Sequence, residues 1–334
     1  MKTFANRNAR TVQEAVQLAQ AARQGGQSVS FAAGGTDLLQ LVKDRVPNRP
    51  GSGAPDVLIN LKSIPGMDGI AAGTAGSLSI GGLVTLSTLA ADARVAARFT
   101  SVAEAAESVA TPQIRNVGTV AGNLVQRPWC WYYRNGFPCY KAGGDRCFSA
   151  GGENQLHAIL GGGPSYIVHP SDLAPALLAM NATFRVVGPG GERSMPAADF
   201  FVLPRVDVEH ENVLADDEVL ASVDIPGPST RVRSGYHKVM DRETWTHALV
   251  SVAAALEMDG DTCRGARIVL GGVAPVPWRV PEAERLLVGR RITPELARRA
   301  ADASVADARP LAKNAYKVSL TREVVERTLV TLAG

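Results

Sequence analysis

Short apolar runs alternate with mixed polar segments along this chain, and glycines mark most of the junctions. Residues 11–24 predict a helix, with Thr11 and Glu14 as a capping box and Gly25 at its end. Residues 28–33 form a short apolar strand and residues 38–43 a helix, joined by the turn Gly34-Gly35-Thr36-Asp37. Residues 57–61 and 78–80 are further strands, followed by helices over 86–96 and from Ser101 and Glu104 to near Pro112. Residues 166–169 read as a strand and 173–180 as a helix. From 182 to 225 the pattern is strands and turns, including Gly188-Pro189-Gly190-Gly191.

Gly227-Pro228 has the composition of a boundary. Beyond it, 234–239, 248–258 and 266–270 suggest an antiparallel sheet. Two helices follow: one over 281–288, one opening at Thr293-Pro294-Glu295 with threonine as N-cap and proline in the first turn. The fold class is therefore α+β, with a mixed N-terminal half and a smaller C-terminal domain.

Composition narrows the class without naming a function. The 334 residues are 46% hydrophobic and 20% charged, as in an ordinary globular protein. A net charge of +3 with no Lys/Arg block gives no reason to expect nucleic acid. No apolar run approaches the ~20 residues of a membrane span, so no membrane insertion is expected. The segment from Met1 to Arg7 lacks an apolar signal core, which points to the cytoplasm, or to a periplasmic site reached with a signal-bearing partner.

Candidate chemistry gathers in two places. The first is the strand-to-helix turn around Ala32, Ala33, Gly34, Gly35, Thr36, Asp37 and Leu38, where unpaired amides at a helix start suit a phosphate. A second glycine-bearing segment, Gly118-Thr119-Val120-Ala121-Gly122-Asn123, could hold a dinucleotide from the other side. Neither G-x-G-x-x-G nor G-x-x-x-x-G-K-[ST] occurs, so a Rossmann dinucleotide site is unsupported and a P-loop is excluded. Between this segment and residue 165 lie Cys130, Cys139 and Cys147, in a loop rich in aromatics and turn formers. Their spacing is neither a zinc knuckle nor a ferredoxin run, and reduced thiols or a metal staple both fit it. Cys263 reads as a surface or strand-end residue. The histidines (His157, His169, His210, His237, His247) make no triad-like or metal-binding constellation.

Five segments in order, FAAGGTDLL (31–39), QIRNVGTVAGNL (113–124), HPSDLAPAL (169–177), YHKVMDR (236–242) and ALVSVAAAL (248–256), resemble the FAD-binding subunit of molybdenum hydroxylases of the xanthine dehydrogenase and carbon monoxide dehydrogenase type. The cysteine insert resembles the aldehyde oxidoreductase branch, whose flavin subunit carries a [4Fe-4S] cluster. The resemblance implies a two-part FAD-binding domain, of the type shared with cell-wall precursor reductases, over residues 1–228. Its subdomains would be about 1–62 and 63–228, with the insert about 126–165, and a C-terminal flavoprotein domain would span 229–334. It implies that both glycine turns grip the FAD pyrophosphate, that Asp172 bonds polar groups of the FAD, that Leu220 packs against it, and that Lys238 lies near the isoalloxazine. It implies cluster ligands Cys130, Cys139 and Cys147. The branch's fourth cysteine is replaced here by Ser165, which leaves a serine-ligated [4Fe-4S] cluster, a [3Fe-4S] or labile cluster, or an empty site.

The function implied is an electron-transfer subunit. It would take electrons from the [2Fe-2S] clusters of a small partner subunit and pass them through FAD to an external acceptor. An aldehyde or nitrogen heterocycle would be oxidised in a large molybdenum-cofactor subunit. Two other readings of the residues are a standalone FAD oxidoreductase of the same flavin fold and a zinc-stapled interaction protein.

Overall fold

The computed structural model describes residues 2–46, 54–243 and 246–334. Three sheets organise it. In the first, strand Val57–Asn60 lies between Ala5–Asn8 and Val29–Ala32 with all pairings parallel. Parallel strands need crossovers: helix Val12–Gln24 links the two outer strands, and helix Leu38–Asp44 lies in the connection from Val29–Ala32 to its neighbour Val57–Asn60. The Thr11 hydroxyl accepts from the Glu14 amide at 3.0 Å, and the Glu14 carboxylate reaches back to the Arg10 amide.

The second sheet is antiparallel, in the order Ile70–Ala72, Leu78–Gly81, Val219–Ile225, Thr183–Gly188, Gly191–Pro196. The third is antiparallel around Val250–Asp259, flanked by Val232–Val239 and Thr262–Gly271. Its central strand is buried on both faces. Ala253 and Ala255 point into the core shared with the second sheet, while Val250, Val252, Ala254, Leu256 and Met258 point into the core under the C-terminal helices. Two buried faces explain the nearly unbroken apolar run.

Several expectations are corrected. The helix over 86–96 is two, Leu86–Ala91 and Ala93–Arg98, because Asp92 leaves the helical conformation and caps the second with its carboxylate. Ser101 and Glu104 do not cap the next helix: both lie inside Thr100–Glu107, and Glu104 accepts the Tyr236 amide at 2.7 Å. Residues 166–169 form no strand; this stretch is irregular, and the His169 amide bonds the Ala274 carbonyl. Cys263 is a strand-end residue, second in strand Thr262–Gly271, but it is buried and not on the surface. After Pro281–Leu287 and Pro294–Ser304 comes a third C-terminal helix, Tyr316–Ala333, which brings Leu329 into the core. No helix of the described residues is long and apolar enough to cross a membrane.

Candidate functional site

The two glycine turns pack directly on each other. A Cβ at Gly34 would lie 2.1 Å from the Val117 carbonyl oxygen, so the glycine is required by the approach of the turns themselves. Gly35 has φ +77°, a conformation costly for other residues. The amides of Gly34, Gly35, Thr36, Asp37 and Leu38 donate to no acceptor among the described residues. The second turn differs from expectation. Val120 and Ala121 donate to Val84 and Gly82, Gly122 donates to the Thr119 hydroxyl, and Asn123 donates to the Thr119 carbonyl. Free backbone donors therefore sit mainly on the first turn, while the second supplies a closely packed wall and Thr119, whose amide also donates to no acceptor among the described residues.

Two cavities meet at these turns. The smaller, about 210 Å³, lies over Phe31, Leu61, Val125, Leu214 and Leu220, with Arg127 and Glu211 at one side. The larger, about 1130 Å³, is walled by Trp129, Arg134, His169, Asp172, His247 and Ser251 among others. Thr36, Asp37, Thr119, Gly122 and Gln126 line both. A ligand with two ring systems joined by a diphosphate fits this geometry, one ring in each cavity and the diphosphate at the free amides.

Asp172 is on the wall of the larger cavity and only 4% exposed. One of its oxygens accepts from Lys238 Nζ at 2.7 Å and the other from the Tyr236 hydroxyl at 2.7 Å. Burial, and then the Asp172 charge, hold the Tyr236 phenol well above its usual range, so it stays a donor. Lys238 also donates to the Ser108 carbonyl and does not itself line the cavity. Its charge acts on the cavity wall through the pair with Asp172 and directly on His247. Leu220 lines the smaller cavity. His169 and His247 are both pushed down to about 4 by burial, so the cavity wall offers neutral imidazoles at pH 7. His247 packs against Trp129 with ring centroids 5.0 Å apart and the rings tilted by 37°.

The cysteine insert tells a different story. Cys130 lines the larger cavity, and its sulfur lies 3.2 Å from His157 Nε2. Burial pushes the Cys130 thiol up to about 11. Cys147 Sγ pairs with the Ser149 hydroxyl at 3.1 Å, and Cys139 packs beside Tyr133 and Leu41. No hydrogen bond joins Ser165 to any of the three cysteines among the described residues. Nor do three or more His, Cys, Asp or Glu side chains come together there to hold a metal ion. Beyond burial, the neighbouring cysteines oppose ionisation of the Cys130 and Cys139 thiols, so the three lie near one another, but no set of three ligands closes on a metal position among the described residues and we derive no chemistry through a [4Fe-4S] cluster or zinc. Ion pairs fasten the insert instead. Arg127 and Lys141 share buried Glu211 at 2.5 and 2.7 Å, and Arg134 pairs with Asp37 at 2.7 Å. Sequence reasoning did not find Arg127, Arg134 or Glu211, whose partners lie far away along the chain.

Comparison with known proteins gives the family of the chain. The family described as "FAD binding domain in molybdopterin dehydrogenase" matches residues 2–228, and "CO dehydrogenase flavoprotein C-terminal domain" matches residues 235–332. The aldehyde oxidoreductase FAD-binding subunit PaoB of Escherichia coli (strain K12) is 35% identical, over 98% of both chains. The carbon monoxide dehydrogenase medium chain of Hydrogenophaga pseudoflava is 28% identical over 91% of this chain and 89% of its own. A solved carbon monoxide dehydrogenase from the same organism superposes with a TM-score of 0.77 at 26% identity, covering 99% of this chain and 97% of the other. Quinoline 2-oxidoreductase from Pseudomonas putida 86 gives 0.76 at 25% identity, covering 100% and 98%.

Proposed function

This chain belongs to the FAD-binding medium subunits of molybdenum hydroxylases, and from that premise we propose that it relays electrons from a partner's [2Fe-2S] clusters to an external acceptor. The observation that carries the reading is the pair of cavities meeting at a row of free amides. A bound flavin supplies one- and two-electron redox chemistry. The chain's own residues bind and orient it. The amides of residues 34–38 take the diphosphate. Leu220 and the apolar wall of the smaller cavity take the adenosine end. The larger cavity takes the isoalloxazine, with the Asp172–Lys238–Tyr236 group fixed behind it.

Oxidation of an aldehyde or nitrogen heterocycle then belongs to a large molybdenum-cofactor subunit, and a small [2Fe-2S] subunit delivers the electrons. The E. coli relative's name supports an aldehyde as substrate. A division at 228/229 accords with the ends of the two matched families. The test is purification of the full chain with and without its partners. One FAD per chain, absorbing near roughly 370 and 450 nm, and aldehyde-dependent flavin bleaching only in the complex are the expected results. Absence of flavin, or aldehyde oxidation by this chain alone, refutes the proposal. Iron and acid-labile sulfide analysis of the same samples decides whether the cysteines take up a cluster.

A further inference from the structure

An aspartate in a phosphate-binding turn is an electrostatic conflict. Asp37 stands among the free amides and lines both cavities, where its carboxylate would repel a diphosphate. In the structure both of its oxygens are turned to the insert: Oδ1 accepts from Arg134 Nη2 at 2.7 Å, and Oδ2 from the Arg127 amide at 2.9 Å. Arg134 is itself nine-tenths buried. It is held by the carbonyls of Pro128 and Arg127, each at 2.8 Å, and its guanidinium carbon lies 4.2 Å from the centre of the Trp129 ring. Its remaining terminal nitrogen, Nη1, is buried and has no hydrogen-bond partner among the described residues.

We infer that Arg134 is a positioning residue for the FAD diphosphate, acting by neutralising Asp37 and drawing its carboxylate away from the free amides. The insert then has a role that needs no metal: it makes the first glycine turn electrically fit for an anion. This rests on the flavin reading above and names a residue of the insert as part of that site.

The test is FAD affinity of the full chain freed of flavin, measured by fluorescence quenching at low and high salt. Arg134→Gln exposes the Asp37 charge and weakens FAD on the order of tenfold, with the loss shrinking as salt screens it. Asp37→Asn alone binds FAD at least as tightly as wild type. The double variant Arg134→Gln/Asp37→Asn returns to within about threefold of wild type, although it still lacks the Trp129 contact and the carbonyl bonds. A loss that Asp37→Asn does not restore means that Arg134 is only a structural support. An Asp37→Asn variant that itself loses FAD means that Asp37 contacts the cofactor directly. Either result, or an Arg134→Gln variant that binds like wild type, overturns the charge assignment alone. A wild-type chain that takes up no FAD removes the flavin reading and this inference with it.

Discussion

Glu211→Gln is the sharpest probe of how the insert is held. The Glu211 carboxylate is 3% exposed and lies between two cations that are themselves buried: Arg127 Nη1 at 2.5 Å and Lys141 Nζ at 2.7 Å. Arg127 also bonds the Tyr133 hydroxyl and the Glu209 and Lys141 carbonyls, so the three side chains form one closed group. A glutamine of equal size keeps the packing and removes the negative charge. Two buried cations then face each other uncompensated, which costs about 3–5 kcal/mol. For a domain of this size that lowers the melting temperature by about 5–10 °C. Burial by itself would raise the Glu211 carboxyl, but Arg127 and Lys141 overrule it and hold it below the ordinary range. The unfolded glutamate titrates near ~4.3. A depressed folded value means this stabilisation is complete above that pH and lost as pH falls through the folded value. The stability gap between wild type and Glu211→Gln is therefore constant at neutral pH and narrows below about pH 4. Urea unfolding followed by tryptophan fluorescence measures it, since Trp129 and Trp131 lie in the insert. A cost under about 1 kcal/mol, or a gap indifferent to acid, refutes the reasoning. The apolar swap Arg127→Met/Lys141→Met/Glu211→Leu gives a control, because replacing the whole group is close to neutral in stability.

Other outcomes follow from single contacts. Gly34→Ala places a methyl 2.1 Å from the Val117 oxygen, forces the turns apart, and lowers FAD occupancy at least tenfold by flavin titration. Tyr236→Phe deletes one donor to the buried Asp172 carboxylate and lowers stability by about 1–3 kcal/mol in urea unfolding. Lys317 donates to the Leu156 and Gly272 carbonyls, and burial holds its ammonium down to about 7. The unfolded chain thus binds the extra proton between about pH 7 and 10.5, so wild-type stability rises with pH across that window. Lys317→Met removes this rise, which melting curves at pH 6.5 and 9.5 compare directly.

Local signals in the sequence were reliable where one element settles its own conformation. Thr11 and Glu14, Thr293 and Pro294, and the run over 248–258 all occupy the structural positions their chemistry implies. The first glycine turn was legible for the same reason, since few residues tolerate φ +77° or a carbonyl 2.1 Å from a Cβ. The helix Tyr316–Ala333 was not told apart from the one opening at Thr293, and its β-branched residues Val318, Thr321, Val324, Val325 and Thr328 lower its helix propensity. Tertiary burial of Val324, Val325 and Leu329 outweighs that propensity. Glu104 looked like a cap and is instead an acceptor for a strand more than a hundred residues away.

The insert shows most clearly what a local reading omits. Three cysteines in an irregular loop suggested a metal staple, because nothing nearby in sequence could fasten the loop. The fasteners are distant in sequence: Asp37 lies 97 positions before Arg134, and Glu211 lies 84 positions after Arg127. Each of these groups looks like an ordinary surface charge until the fold buries it. Burial changes its energetics, since a lone charge there is costly and a matched one is held tightly. The same two pairings join the insert to the turn and to the cavity walls of the flavin site. Residues that fasten the loop therefore also shape the place where the cofactor sits, and a substitution that frees the insert should be read first as a change in flavin binding.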